Sequence, residues 1–159
     1  MRSNRGAVKV QNTRNVDGLA RAMLDLLSFL NSPQRDDALL REARVDLDRA
    51  LFPLLVILGM RGTLGVTELA DQVGRDHTTV SRQLAKLESL DLVTRESGDD
   101  RRRRAAALTP AGKKVVKAIT QARRRLLSKA LAQWSEADRA ALASLNRRFA
   151  DALMMMART

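Results

Sequence analysis

The sequence contains no cysteine and no tyrosine, one histidine and only 3% aromatic residues. Without cysteine, the chain cannot form a disulfide framework, a thiolate metal site or a cysteine redox switch. Because His77 is the only histidine, an all-histidine metal site and a pH-sensitive histidine cluster are also excluded. The 159 residues are 45% hydrophobic, so we expect a globular domain whose core is built mainly from aliphatic side chains.

Catalytic motifs are missing as well. The chain has no G-x-G-x-x-G, no G-x-x-x-x-G-K-[ST], no H-E-x-x-H and no G-x-S-x-G. With a single histidine and no cysteine, no nucleophile–base pair stands out among the exposed carboxylates. We therefore expect a protein that is not an enzyme and that holds no metal and no cofactor.

Segments that would direct the chain to a membrane are not found. Residues 1–16 are polar and basic and lack the apolar region of a secretory signal. The longest apolar run, residues 50–60, is far shorter than the roughly 20 residues that cross a bilayer. These observations predict a cytoplasmic protein with no membrane partner.

Positive charge is abundant. The chain has 29 Lys and Arg against 18 Asp and Glu, which gives a net charge of +11. Such an excess favours polyanionic partners, either nucleic acid or an anionic membrane surface, without choosing between them. The charge is most concentrated at residues 97–104, SGDDRRRR, where two aspartates precede four consecutive arginines.

The N-terminal third is predicted to be an arm followed by helices. Residues 1–15 carry scattered basic side chains without periodicity and indicate a flexible arm. Apolar residues then recur at helical spacing up to residue 30, and Asn31-Ser32-Pro33 ends that helix. A second helix is expected at about 35–45. A buried one follows at about 48–60, in which Pro53 fits only if it lies in or near the first turn or if the helix is kinked.

The middle of the chain predicts a winged helix-turn-helix. A short strand lies between Gly62 and Gly65, a helix follows with Thr67 as its N-cap, and Gly74 turns the chain into a helix at about 77–90. Residues 92–96 and AAAL at 105–108 are β-prone and form a hairpin with a long tip. Two further helices are expected to begin at Thr109-Pro110 and Ser135.

The second helix of this motif has two different faces. Val80, Leu84 and Leu87 should pack on the core, whereas Thr78, Arg82 and Lys86 share the opposite face at 100° per residue. Thr79 and Ser81 flank that polar face and His77 precedes it. Hydroxyl and cationic groups of this kind contact base edges and phosphates, although any exposed helix face is also polar.

The arginine run follows directly after this helix. The tip of such a hairpin lies over the DNA backbone and the adjacent minor groove, where arginine is favoured electrostatically. We therefore predict that Arg101, Arg102, Arg103 and Arg104 contact DNA and that one of Asp99 and Asp100 orients an arginine through a charge-assisted bond. The alternative is a solvated loop with no partner, in which the arginines repel one another.

The stretch from VTELADQVG through TTVSRQLAKLE and SGDDRRRR to LTPAGKK resembles the multiple antibiotic resistance regulator (MarR) family of bacterial transcription factors, and the resemblance is strongest over about 54–114. The carrying motifs are T-V-S-R, L-V, D-x-R and L-T-P-x-G. The resemblance implies a mainly α-helical fold of about six helices with a small β-hairpin wing. A single domain over 16–159 would comprise a winged helix-turn-helix lobe at about 48–109 and dimerisation helices at about 16–47 and 110–156.

The resemblance also implies a function and its partners. In the family the wing D-x-R places an arginine in the minor groove and an aspartate that holds it, and these positions match Arg102 and Asp100 here. A homodimeric repressor on a pseudo-palindromic operator of double-stranded DNA would follow, associated with the nucleoid. Its effector would be a small, often aromatic or phenolic, anion bound between the dimerisation helices and the DNA-binding lobe.

Two alternative functions stay open at this point. A sequence-nonspecific architectural protein would use the same fold only to hold phosphates, and the net charge of +11 suits either reading. A winged-helix module that binds another protein would leave the wing arginines without a role. The readings differ at Arg82 and its neighbours, because only a sequence-specific reader needs them for discrimination.

Overall fold

A computed structural model describes residues 5–96 and 105–156, and within them the side chains of 15–95 and 105–156. The described part contains seven helices and three strands, so the fold is mainly α-helical with a small sheet. The helices are α1 Arg5–Leu30, α2 Pro33–Ala43, α3 Phe52–Arg61, α4 Val66–Val73, α5 His77–Ser89, α6 Pro110–Ala130 and α7 Glu136–Met156. The strands are β1 Leu64–Gly65, β2 Val93–Glu96 and β3 Ala105–Leu108.

The first helix is longer than the sequence predicted. It begins at Arg5, so the expectation of a flexible arm over residues 1–15 is wrong for residues 5–15. No proline occurs before Pro33, so nothing interrupts backbone hydrogen bonding from residue 5 to residue 30. The helix ends where predicted, and Ser32 Oγ accepts a hydrogen bond from Arg35 N–H (3.3 Å) to cap α2.

The starts of α3 and α4 differ from those that the sequence predicted. α3 begins at Phe52 and not at about residue 48, and this start puts Pro53 in its first turn, one of the two arrangements predicted for it. The N-cap of α4 is Gly65 and not Thr67, which lies inside the helix. Glu68 Oε2 accepts a hydrogen bond from Gly65 N–H (2.9 Å), and this contact moves the start of the helix two residues toward the N-terminus.

The hydrophobic core of this region joins three helices to the sheet. Its members are aliphatic, as the low aromatic content predicted, and have at most 6% of their surface exposed. Complete burial of each of the larger aliphatic side chains stabilises the folded state by roughly 1.5–3 kcal/mol. The buried cluster comprises Leu51, Leu54, Leu55, Leu58, Leu69, Ala70, Val80, Leu84, Leu87, Val93 and Ala106.

The predicted hairpin is confirmed, and it gains a third strand. β2 and β3 pair antiparallel, with Val93 opposite Leu108 and Glu96 opposite Ala105. β1 adds to the other edge of β3, with Leu64 opposite Ala106, which gives the order β1-β3-β2. Helix-turn-helix and wing therefore share one core, because Val93 of β2 and Ala106 of β3 are buried with α5.

The chain divides into two compact units, residues 1–119 and residues 120–159. Thr109 Oγ1 caps α6, accepting from Gly112 N–H (3.0 Å) and donating to Asp91 O (2.6 Å), as the Thr-Pro pair predicted. In the second unit Ser135 caps α7: its Oγ accepts from Asp138 N–H (3.0 Å) and donates to Asp138 Oδ2 (2.6 Å). No helix in the described residues is long and apolar enough to span a membrane.

Candidate nucleic-acid interface

The turn between α4 and α5 is built from the two small residues that the sequence singled out. Ala70 is 6% exposed, and its small side chain lets α4 approach its neighbours closely. Gly74 ends α4 at φ +64°, a left-handed conformation that glycine adopts without a steric penalty. Arg75 N–H then donates to Ala70 O (3.0 Å) and closes the turn that aims α5 away from α4.

Helix α5 has the two faces that its sequence predicted. Val80, Leu84 and Leu87 have no measurable exposure, so one face is completely buried. On the other face Thr78, Arg82 and Lys86 are exposed, as is His77 at the N-terminal end. Thr79 and Ser81 are half-buried at the edge of that face. The structure thus brings six predicted contact residues together on one helix, and their contact with DNA stays a prediction.

One residue of the exposed face was missed in the sequence. Ala85 is exposed, seven positions after Thr78 and three after Arg82, and so lies on the same face. Its helical spacing was the signal, but a small apolar residue did not draw attention beside cationic neighbours. A methyl side chain on such a face allows close approach and can contact a thymine methyl group.

Asp76 caps α5 and is a second residue that the sequence analysis overlooked. Its Oδ1 accepts a hydrogen bond from Thr79 N–H (2.8 Å). Hydrogen bonds from the Thr79 side chain and then from its backbone N–H lower the pKa of Asp76 below its usual 3.8, with a smaller effect from the charge of Arg82. The Thr79 side chain therefore serves the cap as well as flanking the exposed face.

The cap predicts a pH-dependent stability. Because the pKa of Asp76 is lowered in the folded state, its contribution is complete well above 3.8 and declines as the pH falls below that value. We expect Asp76→Ala to melt at a lower temperature than the wild type at pH 7, with the difference shrinking in acid. Thermal unfolding followed by circular dichroism across this range measures it.

Asp76→Asn is the matched control for this pH series. It retains a capping oxygen without a titrating charge, so its difference from Asp76→Ala should hardly change with pH. Parallel curves for the wild type and Asp76→Ala would show that the carboxylate charge contributes nothing to the cap.

Two further arginines lie beside α5 but are engaged within the protein. Arg75 Nη1 donates to Ala50 O (2.7 Å) and to Gln83 Oε1 (2.8 Å), which ties the start of α5 to the segment before α3. Arg95 of β2 donates from Nη2 to Ser81 O (2.9 Å). Both side chains are half-buried and hydrogen-bonded to backbone oxygens, so they hold the helix in place.

The wing arginines lie in the connection between β2 and β3. The strands pair as far as Glu96 and Ala105, and residues 97–104 join their ends. Asp100, Arg101, Arg102, Arg103 and Arg104 lie outside the described residues, and their predicted contacts with DNA stay a prediction. Their point of attachment is described: the wing strands share the core of α5.

A cleft of about 490 Å³ lies between α3, β3 and the start of α6 in the first unit. Its walls include the apolar side chains of Leu58, Leu108 and Val116. Lys113 and Lys117 stand one helical turn apart at its edge and are exposed. The volume lies within the range of small-molecule sites, and the combination suits an apolar ligand that carries negative charge. Among the described residues no cluster of three or more His, Asp and Glu could hold a metal ion.

Comparison with known proteins agrees with this geometry. The model of the MarR family matches residues 45–103. An uncharacterized HTH-type transcriptional regulator, YxaD of Bacillus subtilis (strain 168), is 35% identical over 95 residues. That match covers 59% of this chain and 66% of YxaD, so the chain spans just under two thirds of this curated relative.

Solved structures share the fold over most of their length. A MarR family protein from Bacillus stearothermophilus has a TM-score of 0.76 at 20% identity, covering 89% of this chain and 97% of that one. RV1404 from Mycobacterium tuberculosis has a TM-score of 0.67 at 26% identity, covering 86% of this chain and 92% of that one. The first similarity, at 20% identity, concerns the fold alone.

Proposed function

Because this chain belongs to the MarR family of transcription regulators, we propose that it binds operator DNA sequence-specifically through α5 and the wing. One observation carries the proposal: α5 is buried along one face and presents Thr78, Arg82 and Lys86 together with Ala85 on the other. A helix of this form, following a tight turn, fits the major groove with its N-terminal residues toward the base edges. A family of regulators also points to a function other than catalysis.

The wing would supply the second contact with DNA. β2 and β3 extend from the core of α5 toward residues 97–104, so the arginines are attached close to the recognition helix. In this proposal Arg102 enters the minor groove beside the occupied major groove, held by Asp100, and the neighbouring arginines neutralise phosphates. A protein acting this way works on the nucleoid, in the cytoplasm.

The functional form would be a homodimer. In the first unit, α1 exposes Val16, Leu19, Leu27 and Leu30 at helical spacing. In the second unit, α7 exposes Leu145, Leu153 and the methionines at 154–156. Long helices with apolar side chains at 43% exposure or more gain stability by burying them against a second copy. Two-fold symmetry then places half-sites about one helical turn of DNA apart.

The dimer would act as a repressor, and a small anion would regulate it. The cleft beside Leu58, Val116, Lys113 and Lys117 offers apolar walls with two cations at its edge. It adjoins α6, which we assign to the dimerisation region, and β3 of the wing. A ligand there needs to disfavour the DNA-competent state by only ~1–3 kcal/mol to lower affinity about 5–150-fold.

The proposal is tested by selecting randomised duplex DNA on the purified protein and sequencing the bound fraction. We expect the selection to enrich an inverted repeat. Light scattering should show that a dimer binds it, and the Arg102→Ala variant should bind it about 5–150-fold more weakly than the wild type. Titrating the selected complex with benzoate as a probe then tests the anion site, and release of DNA is the expected result.

Two outcomes would contradict the proposal. Binding that follows salt alone, with no enriched motif, would assign the chain to sequence-nonspecific architectural proteins. No binding to any duplex at moderate salt would favour a winged-helix module that contacts another protein.

A further inference from the structure

Arg95 connects the wing to the recognition helix. It lies in β2, two positions before the segment that carries the wing arginines, and its side chain is only 16% exposed. Nη2 donates to the carbonyl oxygen of Ser81 (2.9 Å), and Nε lies 3.4 Å from Glu88 Oε2. One guanidinium from the wing therefore contacts two residues of α5.

The two contacts lie along one side of the helix. Ser81 and Glu88 are seven positions apart, which is close to two turns, so they share a side and are separated by roughly 10 Å along the axis. Ser81 O lies next to Arg82 in the chain, at the edge of the exposed face. The Ser81 carbonyl and the Glu88 side chain therefore converge on one planar cation, which fixes this side of α5 against β2.

Burial makes this arrangement costly unless its partners stay in place. A guanidinium removed from water is stabilised only if its N–H groups meet acceptors. Nη2 meets a carbonyl oxygen, whereas buried Nε has no hydrogen-bond partner of good geometry and its contact with Glu88 is ionic. Glu88 is itself 47% exposed, so its charge is partly screened. The hydrogen bond to Ser81 is thus the stronger of the two contacts.

We propose that Arg95 is a positioning residue that sets the angle of α5 relative to the wing and thereby the sequence discrimination of the protein. The inference rests on the proposed DNA-binding function. This role does not require a phosphate contact, because Nη2 and Nε are turned toward α5 and the side chain is only 16% exposed. Lysine cannot replace it, since a single ammonium on a flexible stem lacks the planar set of donors.

The test compares Arg95→Gln and Arg95→Lys with the wild type and with Arg61→Gln, which removes one exposed arginine elsewhere in the same unit. Affinity is measured for the selected duplex and for a random duplex of equal length over a range of salt. We expect both Arg95 variants to lose about 10-fold in affinity for the selected duplex. Affinity for the random duplex and the salt slope should stay at the level of Arg61→Gln for Arg95→Gln, and at the wild-type level for Arg95→Lys, which keeps its charge.

A different pattern would overturn the proposal. If Arg95→Lys binds like the wild type while Arg95→Gln weakens both duplexes equally and lowers the salt slope by about one charge, Arg95 is a phosphate contact. If both affinities fall in proportion to the fraction of unfolded protein, measured by thermal unfolding, Arg95 serves stability alone. Glu88→Gln keeps the Ser81 contact and should retain most of the discrimination.

Amide hydrogen exchange separates this proposal from the failure of the proposed function. In free protein, Arg95→Gln should speed exchange along 81–89 of α5 more than along α3, because only α5 loses an anchor. Unchanged exchange in α5 would overturn the positioning role whether or not DNA is read. The wild type could lack sequence preference while Arg95→Gln still speeds exchange in α5. That result would overturn the proposed function and the role of Arg95 in discrimination, but Arg95 would still be an anchor of α5.

Discussion

Arg82→Ala is expected to lower affinity for the selected duplex by about 5–150-fold, the effect of losing ~1–3 kcal/mol from one base-edge contact. Arg82 is exposed on α5, between the buried positions Val80 and Leu84, so its side chain can be removed without disturbing the core. Alanine is a strong helix former, which leaves the helix itself intact. Fluorescence anisotropy with the selected duplex and single-base variants measures both the affinity and the lost discrimination.

Arg61→Ala removes the same charge from an exposed position on α3 and serves as the control for Arg82. It should change affinity for all duplexes slightly and equally. If Arg82→Ala lowers affinity for every sequence by the same factor and leaves the preferred base unchanged, Arg82 contacts a phosphate and not a base.

Gly112→Ala is expected to lower the free energy of unfolding by about 2–3 kcal/mol, a large share of the ~5–15 kcal/mol typical of a domain. A Cβ at this position would lie 2.0 Å from the backbone oxygen of Leu92. That oxygen also accepts a hydrogen bond from Thr109 N–H (3.2 Å), so the chain cannot move aside without weakening the junction between α5, β2 and α6. Urea unfolding followed by circular dichroism measures the loss.

Gly59→Ala is the matched substitution in a neighbouring helix. Its Cβ would meet Val116 Cγ1 at 2.7 Å, but a side-chain methyl can move by rotation. The gain of roughly 1 kcal/mol from replacing glycine inside a helix offsets part of the strain. We expect the free energy of unfolding to fall much less than for Gly112→Ala. Equal losses for the two variants would show that the Leu92 carbonyl can move away from the new Cβ as easily as a side-chain methyl.

The helix-turn-helix could be predicted from local sequence. Gly74 permits a left-handed turn, and Pro53 and Pro110 favour the first turn of a helix, so their roles could be predicted from local sequence and are confirmed. The two faces of α5 follow from helical periodicity alone. Ala85 could have been found by the same arithmetic, since spacing places it with Thr78 and Arg82.

The errors arose where local signals were weak or competed. Residues 5–15 lack apolar periodicity, but a helix continuous with residues 16–30 needs no apolar stripe of its own. Thr67 was predicted as the cap of α4, but the hydrogen bond between Gly65 N–H and Glu68 Oε2 places the cap at Gly65. The arginines of residues 101–104 were predicted from charge and resemblance, and their role stays a prediction.

The sequence by itself determined the order of the helices, the two β-prone segments of the hairpin, the two faces of α5 and the aliphatic nature of the core, because these depend on composition or on residues a few positions apart. Only the tertiary structure decided which arginines hold α5. Arg75 reaches an oxygen 25 positions away at Ala50, and Arg95 reaches one 14 positions away at Ser81. It also brought Leu92 against Gly112 and paired β1 with β3. Such contacts join distant parts of the chain, and no local spacing encodes which distant partners folding brings together.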